Sequence, residues 1–500
     1  MKILTETYKE KISLTLICYD MLLISGSLRE ISYAQGITSY FYANQLRIFD
    51  YAKFAEPYKE KIRSNAESIA KEDGIEVEFI RKSSVRKEAI IAKKIKERGT
   101  HPGIVHIISA METCTTFKPL HDKRTGRTFL KPDQSKCLHY YFYFIDEFLG
   151  LCYVRVPTWC PFRLQIYLNG HNILANELKQ NDIAFTMIDN IFDSIADANK
   201  AQELSDNLSI EKIQRKLDEF AWRFCPVYKD YHLHYHWSIM QSEYATDIVF
   251  NRQADLQKIY SELVATAIHT VKPENIATFL GHKLDDRFQG EIGNNYNVRI
   301  EGSHIKHSMK DVSIKMYDKF SKILRIETTT NNVSLFKHYR EVVHRDGTTS
   351  NQMAPLKKSI YSLPFLKDQL KAANKRYLEF IAAFDNKEVG RKMLEKITET
   401  KTVHNRNYRG FNFFSKFDLS VLFTIVRGEF TINGFRNKHL RNFFDFSSGK
   451  VSWLLRRLLV HGLIKKAHRS YKYYLTALGK EAIAAAQLVK EVILVPAFNF

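Results

Sequence analysis

The chain has 500 residues, 45% of them hydrophobic, with 75 Lys and Arg against 55 Asp and Glu and a formal net charge of +20. That apolar content excludes a disordered chain, and the length fits about three domains at ~150 residues each. Cys18, Cys114, Cys137, Cys152, Cys160 and Cys225 form no CxxC or CxxC…HxxxH pattern, which argues against a zinc ribbon and a disulfide framework and favours reduced thiols in a cytoplasmic protein.

The run ISLTLICYDMLLISG, Ile12 to Gly26, is short for a membrane span and carries Asp20 near its middle, so it reads as a buried helix and no membrane is expected as a partner. The segment SYFYANQLRIFDYAKF supplies rings for core packing or for stacking on bases. Next, EPYKEKIRSNAESIAKEDG places Ile62, Ala66, Ile69 and Ala70 on one face of a helix ended by Gly74. A short strand VEFI and a basic helix, RKSSVRKEAIIAKKIKERG, complete a mostly helical region, residues 1–102.

Residues 103–230 begin with strands in GIVHIISAME, KCLHYYFYFID and GLCYVRVPTW, and a basic loop is expected from Lys118 to Lys136. Helices are expected in NILANEL, FTMIDNIFDSIAD, ANKAQELSDN and SIEKIQRKLDEFAWRF. Their acidic residues, among them Asp182, Asp189, Asp193 and Asp197, make this part a poor surface for a polyanion.

Residues 231–350 read as an antiparallel β core. Glu243 and Asp247 lie four apart on one expected strand, which puts both carboxylates on the same face. After two helices (Leu256 to His269, Asn275 to Gly281), VRIEG, HIKHS, VSIKMYDK and ILRIETT are separated by turns short enough for a meander. The phrases KMYDK, Lys315 to Lys319, and LRIE, Leu324 to Glu327, resemble the K-x-Y-D-K … R-x-E signature of phage and plasmid rolling-circle replication initiators. The resemblance implies a DNA-nicking transferase of a mobile or replicating element, with Tyr317 or Tyr339 as nucleophile and Lys315 and Lys319 against developing charge. Glu243, Asp247, Asp318 and Glu327 would then hold Mg2+ or Mn2+, since carboxylates suit hard cations. Tyr339 is expected on a helix in SLFKHYREVVHR. In the alternative reading Tyr317 packs in the sheet while charged residues pair across strands.

Residues 351–410 read as a helical connector, KDQLKAANKRYLEFIAAF and KEVGRKMLEKITETK, ending in a basic linker from Thr402 to Gly410. Residues 411–500 give helix, helix, basic helix, basic hairpin, helix. In the third helix Val451, Leu454, Leu455, Leu458 and Leu459 share one side, and Ser447 or Ser448 caps its start. This order, with LLRRLLVHGLIKK and YYLTALGK, resembles the winged helix-turn-helix domain of MarR-type regulators, and the whole chain resembles a family of bacterial proteins labelled MarR-like for that domain. From 401 to 500 there are seventeen Lys and Arg against five Asp and Glu, so +12 of the +20 lies in the last fifth.

The expected fold is therefore α+β: a central antiparallel sheet domain with helical layers, followed by a C-terminal winged helix-turn-helix. The expected partner is double-stranded DNA, with single-stranded or hairpin segments and a homodimer both compatible. Lys450, Ser452, Arg456 and Arg457 are expected at the major groove, and Lys465, Lys466, His468, Arg469 and Lys472 at phosphate. A non-catalytic transcription regulator and a structured-RNA binder are the alternatives.

Overall fold

The protein was analysed as a computed structural model that describes residues 4–82, 84–231, 233–281, 291–299, 302–382, 395–427, 430, 434–467 and 470–488. The fold is mixed α+β, and no helix among the described residues is long and apolar enough to cross a membrane. The chain forms two compact units, each assembled from separate stretches of sequence. One comprises Cys18–Glu243 and Asn331–Lys367; the other comprises the described residues of Met1–Ile17, Tyr244–Thr330 and Asp368–Phe500.

Strand β1 (Ile12–Leu28) replaces the expected helix. Leu14, Leu16, Cys18, Leu22, Ile24 and Leu28 are buried, and most residues between them are partly exposed. That period of two belongs to a strand. From Cys18 onward the first unit adds α1 (Ala34–Ala43), α2 (Tyr51–Glu72), β2 (Val77–Ile80) and α3 (Lys87–Arg98). The expected face of α2 is buried at Ile62, Ala66, Ile69 and Ala70. The aromatic segment packs on itself and on Tyr231, with ring centroids of Phe41 and Phe54 4.9 Å apart and of Phe54 and Tyr231 5.9 Å apart.

The expected basic loop is instead the far end of a long hairpin. Strands β3 (Gly103–Asp122) and β4 (Arg127–Asp146) stay paired out to Asp122↔Arg127. The Asp122 carboxylate closes the turn by accepting from the Arg124 N–H and the Thr125 hydroxyl. With β5 (Gly150–Pro157) and β6 (Leu164–Asn169) the sheet order runs β1, β6, β5, β4, β3, β2, and the parallel β2–β3 pair makes it mixed. Asn169 caps α4 (Gly170–Gln180). The expected helix FTMIDNIFDSIAD is a hairpin, β7 (Phe185–Ile188) and β8 (Ile191–Ile195), with Asp189 at φ 55° in its turn. After α5 (Ala198–Asp206), α6 (Ile210–Phe224) lays Phe220 and Phe224 on Phe144 and Phe142 of β4, each pair 4.7 Å between centroids. Burial of each such ring contributes roughly 1.5–3 kcal/mol.

Strand β9 (Tyr235–Phe250) gives its residues from Tyr244 onward to the second unit. There it is followed by α7 (Gln253–Thr270), α8 (Pro273–Phe279) and a meander, β10 (Ile292–Arg299), β11 (Gly302–Met309), β12 (Val312–Lys319) and β13 (Ile323–Thr330), paired antiparallel in sequence order. The last three strands fall where HIKHS, VSIKMYDK and ILRIETT were expected, whereas the first lies largely ahead of the expected VRIEG, of which Ile300 and Glu301 fall outside the described residues. The next segment returns to the first unit. It is a hairpin, β14 (Lys337–Val343) with β15 (Thr349–Pro355), where a helix carrying Tyr339 was expected. Helix α9 (Leu363–Ala382) carries Asn374, whose amide donates to the Tyr244 carbonyl at 2.9 Å and accepts from the Thr328 hydroxyl at 2.6 Å.

The expected linker forms a small hairpin, β16 (Lys401–Val403) and β17 (Arg406–Tyr408), with His404 and Asn405 at φ 49° and 58° supplying a two-residue turn. The C-terminal segment then gives α10 (Lys416–Ile425), α11 (Asn437–Arg441), α12 (Ser448–Val460), β18 (Ile464–Lys466), β19 (Tyr473–Leu475) and α13 (Ala477–Leu488). The Ser447 hydroxyl caps α12 by accepting from the Lys450 N–H, and Gly462 at φ 73° follows its end. Val451, Leu454, Leu455 and Leu458 join one apolar cluster with Val421, Leu422 and Ile425 of α10.

Candidate functional site

Strand register brings part of the predicted site together in the second unit. Lys315 on β12 faces Glu327 on β13, and Tyr317 faces Arg325. The Glu327 carboxylate, buried at 2% exposure, takes the Lys315 ammonium at 2.6 Å and the Tyr317 hydroxyl at 2.9 Å, with the Thr329 hydroxyl at 3.4 Å. The His304 ring lies 5.4 Å from that of Tyr317. The phenol donates to a carboxylate held by an ammonium, a satisfied buried network whose hydroxyl proton has an acceptor in place.

Other predicted members do not join that cluster. The guanidinium of Arg325 grips Asp247 with both ends, at 2.6 and 2.7 Å, and both residues are buried, so Asp247 is an ion-pair partner and not an open ligand. Asp318 follows Tyr317 on the strand and so points to the opposite face, where burial raises its carboxyl pKa above the usual range. Lys319 ends β12, its ammonium 5.5 Å from the Phe320 ring. Tyr339 lies in the first unit on the exposed side of β14 and is 67% exposed.

Glu243 also belongs to the first unit. One of its carboxylate oxygens lies within 4.8 Å of one from Asp20, and Asp20 in turn lies 3.0 Å from Nδ1 of the fully buried His171, whose Nε2 is 3.4 Å from the Cys18 thiol. Asp20, His171 and Cys18 escaped the residue patterns. The available signal was Asp20 itself, a charge in the middle of an apolar strand, which needs a partner when buried. Two carboxylates this close suit a hard divalent cation or a shared proton.

In the C-terminal segment neighbouring arginines part company. Arg456 is exposed on α12, beside exposed Ser452, Trp453 and Lys450. Arg457 is buried. Its guanidinium takes both oxygens of Asp418 at 2.7 and 2.9 Å and donates to the carbonyls of Arg409 and Gly410, which corrects its expected place at the major groove. Ser452 bonds the Asn437 amide at 2.8 Å, and the Lys450 ammonium sits 3.9 Å over the Phe446 ring. Lys465 and Lys466 are exposed on β18, and Lys472 is half-buried with its ammonium 5.4 Å from the Tyr474 ring. His468 and Arg469 fall outside the described residues. No family model, curated protein or solved structure matches this chain.

Proposed function

We propose that the protein binds duplex DNA through its C-terminal segment, which acts as a winged helix-turn-helix with α12 in the major groove and the β18–β19 hairpin on phosphate. The observation that carries this reading is exposed Ser452, Trp453 and Arg456 on one side of a helix whose opposite side is locked in the apolar cluster, with Lys450 exposed in its first turn and exposed Lys465 and Lys466 following on β18. The net charge of this fifth of the chain supports it. Titrating the full chain against a labelled duplex over a range of salt tests it. Lys465→Ala with Lys466→Ala is expected to lower the slope of log affinity against log salt by about two, and Arg456→Ala to relax sequence preference. Retention of the wild-type slope in the double variant together with unchanged sequence preference in Arg456→Ala, or tighter binding of folded RNA than of any duplex, would overturn the reading.

A second reading, metal-dependent nicking by the β core, is favoured by the contact between the Tyr317 hydroxyl and Glu327. In it Glu327 takes the phenolic proton and Tyr317 attacks phosphorus, forming a phosphotyrosyl ester as the scissile P–O bond breaks; the leaving strand-end oxygen takes a proton from water, and Lys315 offsets developing negative charge. Incubation with supercoiled DNA and Mg2+ or Mn2+ should give nicked circles or a covalent adduct, and Tyr317→Phe should abolish them. Absence of product with either metal would leave a DNA-binding regulator without catalysis. Cation binding is tested separately by calorimetry with Mn2+, where Glu243→Gln should weaken uptake at the Asp20 and Glu243 pair.

A further inference from the structure

The β14–β15 hairpin stands out as a two-stranded sheet with little burial of its own. Every residue of β15 except Ala354 is exposed, and on β14 exposed Lys337, Tyr339, Glu341 and Val343 alternate with half-buried His338, Arg340 and Val342. An isolated two-stranded hairpin is marginal in water, so its order has to come from its root and its turn. At the root Phe336, Ala354, Leu356 and Ile360 are buried, and the His338 ring packs 4.3 Å from Phe365. At the tip Asp346 accepts from the Thr348 N–H and hydroxyl, Gly347 sits at φ 83°, and His344 bonds Ser350 at 2.7 Å.

A ribbon held this firmly still leaves large apolar side chains in water. Tyr339 and Met353, direct cross-strand partners, are 67% and 59% exposed, and Val343 is 69% exposed on the same face. The stretch from 337 to 358 carries Lys337, Arg340, Arg345, Lys357 and Lys358 against Glu341 and Asp346, with Glu341 on the same face between Tyr339 and Val343. Arg340 lies across the ribbon, donating to the carbonyls of Pro355 and Glu341. The major groove of a duplex admits a two-stranded ribbon, cations along such a ribbon meet phosphate on both sides, and exposed apolar side chains contact thymine methyl groups or wedge against base steps.

We infer that the β14–β15 ribbon is a second nucleic-acid contact, an arm that lies in a groove of the duplex and places Tyr339, Val343 and Met353 against base edges. This rests on the duplex-binding reading, and its charge complementarity selects a polyanion over an apolar protein partner. The full chain is titrated with a labelled random-sequence duplex of about 30 base pairs. Lys337→Ala with Arg345→Ala, both exposed, should weaken binding at least tenfold at moderate salt and lower the salt slope by about two. Photocrosslinking from a benzoylphenylalanine at position 339 should label the DNA. Unchanged affinity and slope in the ribbon variant, while the Lys465 and Lys466 variant binds weakly, would overturn the arm and leave the C-terminal reading standing. A crosslink from position 339 to a second copy of the chain would also overturn it. A wild-type chain that retains no duplex at all would sink both, so the two failures are told apart.

Discussion

The β12–β13 pair and the C-terminal segment use their charged residues in opposite ways. On the strands, Arg325 is paired with Asp247 of β9 and Glu327 with Lys315, and these residues are mostly buried. On α12 and β18, Lys450, Arg456, Lys465 and Lys466 face water, and the exception, Arg457, is paired with Asp418. Charge that is buried is committed to holding the fold, while charge at the surface remains available to a partner.

The sharpest way to break this comparison is to orphan a buried charge. Arg325→Ala should cost about 3–5 kcal/mol, because Asp247 is left ionised and desolvated, and urea unfolding will read it as a lower midpoint at unchanged slope. A loss below about 1 kcal/mol would mean the pair is solvated after all. Acid offers a second lever. His307 accepts the Tyr377 hydroxyl at one ring nitrogen and bonds Asn294 at the other, and burial lowers its pKa to about 4. Between that value and the ~6.5 of an unfolded histidine the unfolded chain binds the extra proton, so stability is full above pH 6.5 and declines on acidification by about 1.4 kcal/mol per pH unit. His307→Asn should flatten that decline. Ser447→Ala should cost about 1 kcal/mol through the lost cap of α12. The smallest expected effect is the most discriminating: Arg456→Ala should change stability by less than about 0.5 kcal/mol, whereas Arg457→Ala, one residue on, should destabilise as Arg325→Ala does.

Much of the architecture was legible where one periodicity dominates. Ile62, Ala66, Ile69 and Ala70 can share a face only on a helix, and the last three strands of the meander followed from three β-rich runs with short turns. The first strand was hidden because its half-buried alternate residues are themselves apolar, so an unbroken hydrophobic run resembled a helix. Two hairpins were read as helices although their turns were visible: Asp189-Asn190 in one and Asp346-Gly347 in the other are turn pairs that a helix reading passes over. Lys315, Tyr317 and Glu327 were named together through the resemblance of KMYDK and LRIE to the replication initiators, whereas their contacts across β12 and β13 follow from a strand register the phrases themselves do not state. The fates of Arg456 and Arg457 were not, since about 100° of helix rotation separates them and only packing decides which side is inside.

The way Arg457 is anchored also determines where this chain can be cut. Its guanidinium reaches back to the carbonyls of Arg409 and Gly410, the Phe411 N–H bonds the Ile397 carbonyl, and Ile397 belongs to the same apolar cluster as α12. An excised C-terminal fragment beginning at residue 411 would lack Ile397 and both carbonyl acceptors, and its failure to hold DNA would report damage at the new end. A fragment that keeps the residues from 395 onward retains those supports and is the fairer object for a binding study.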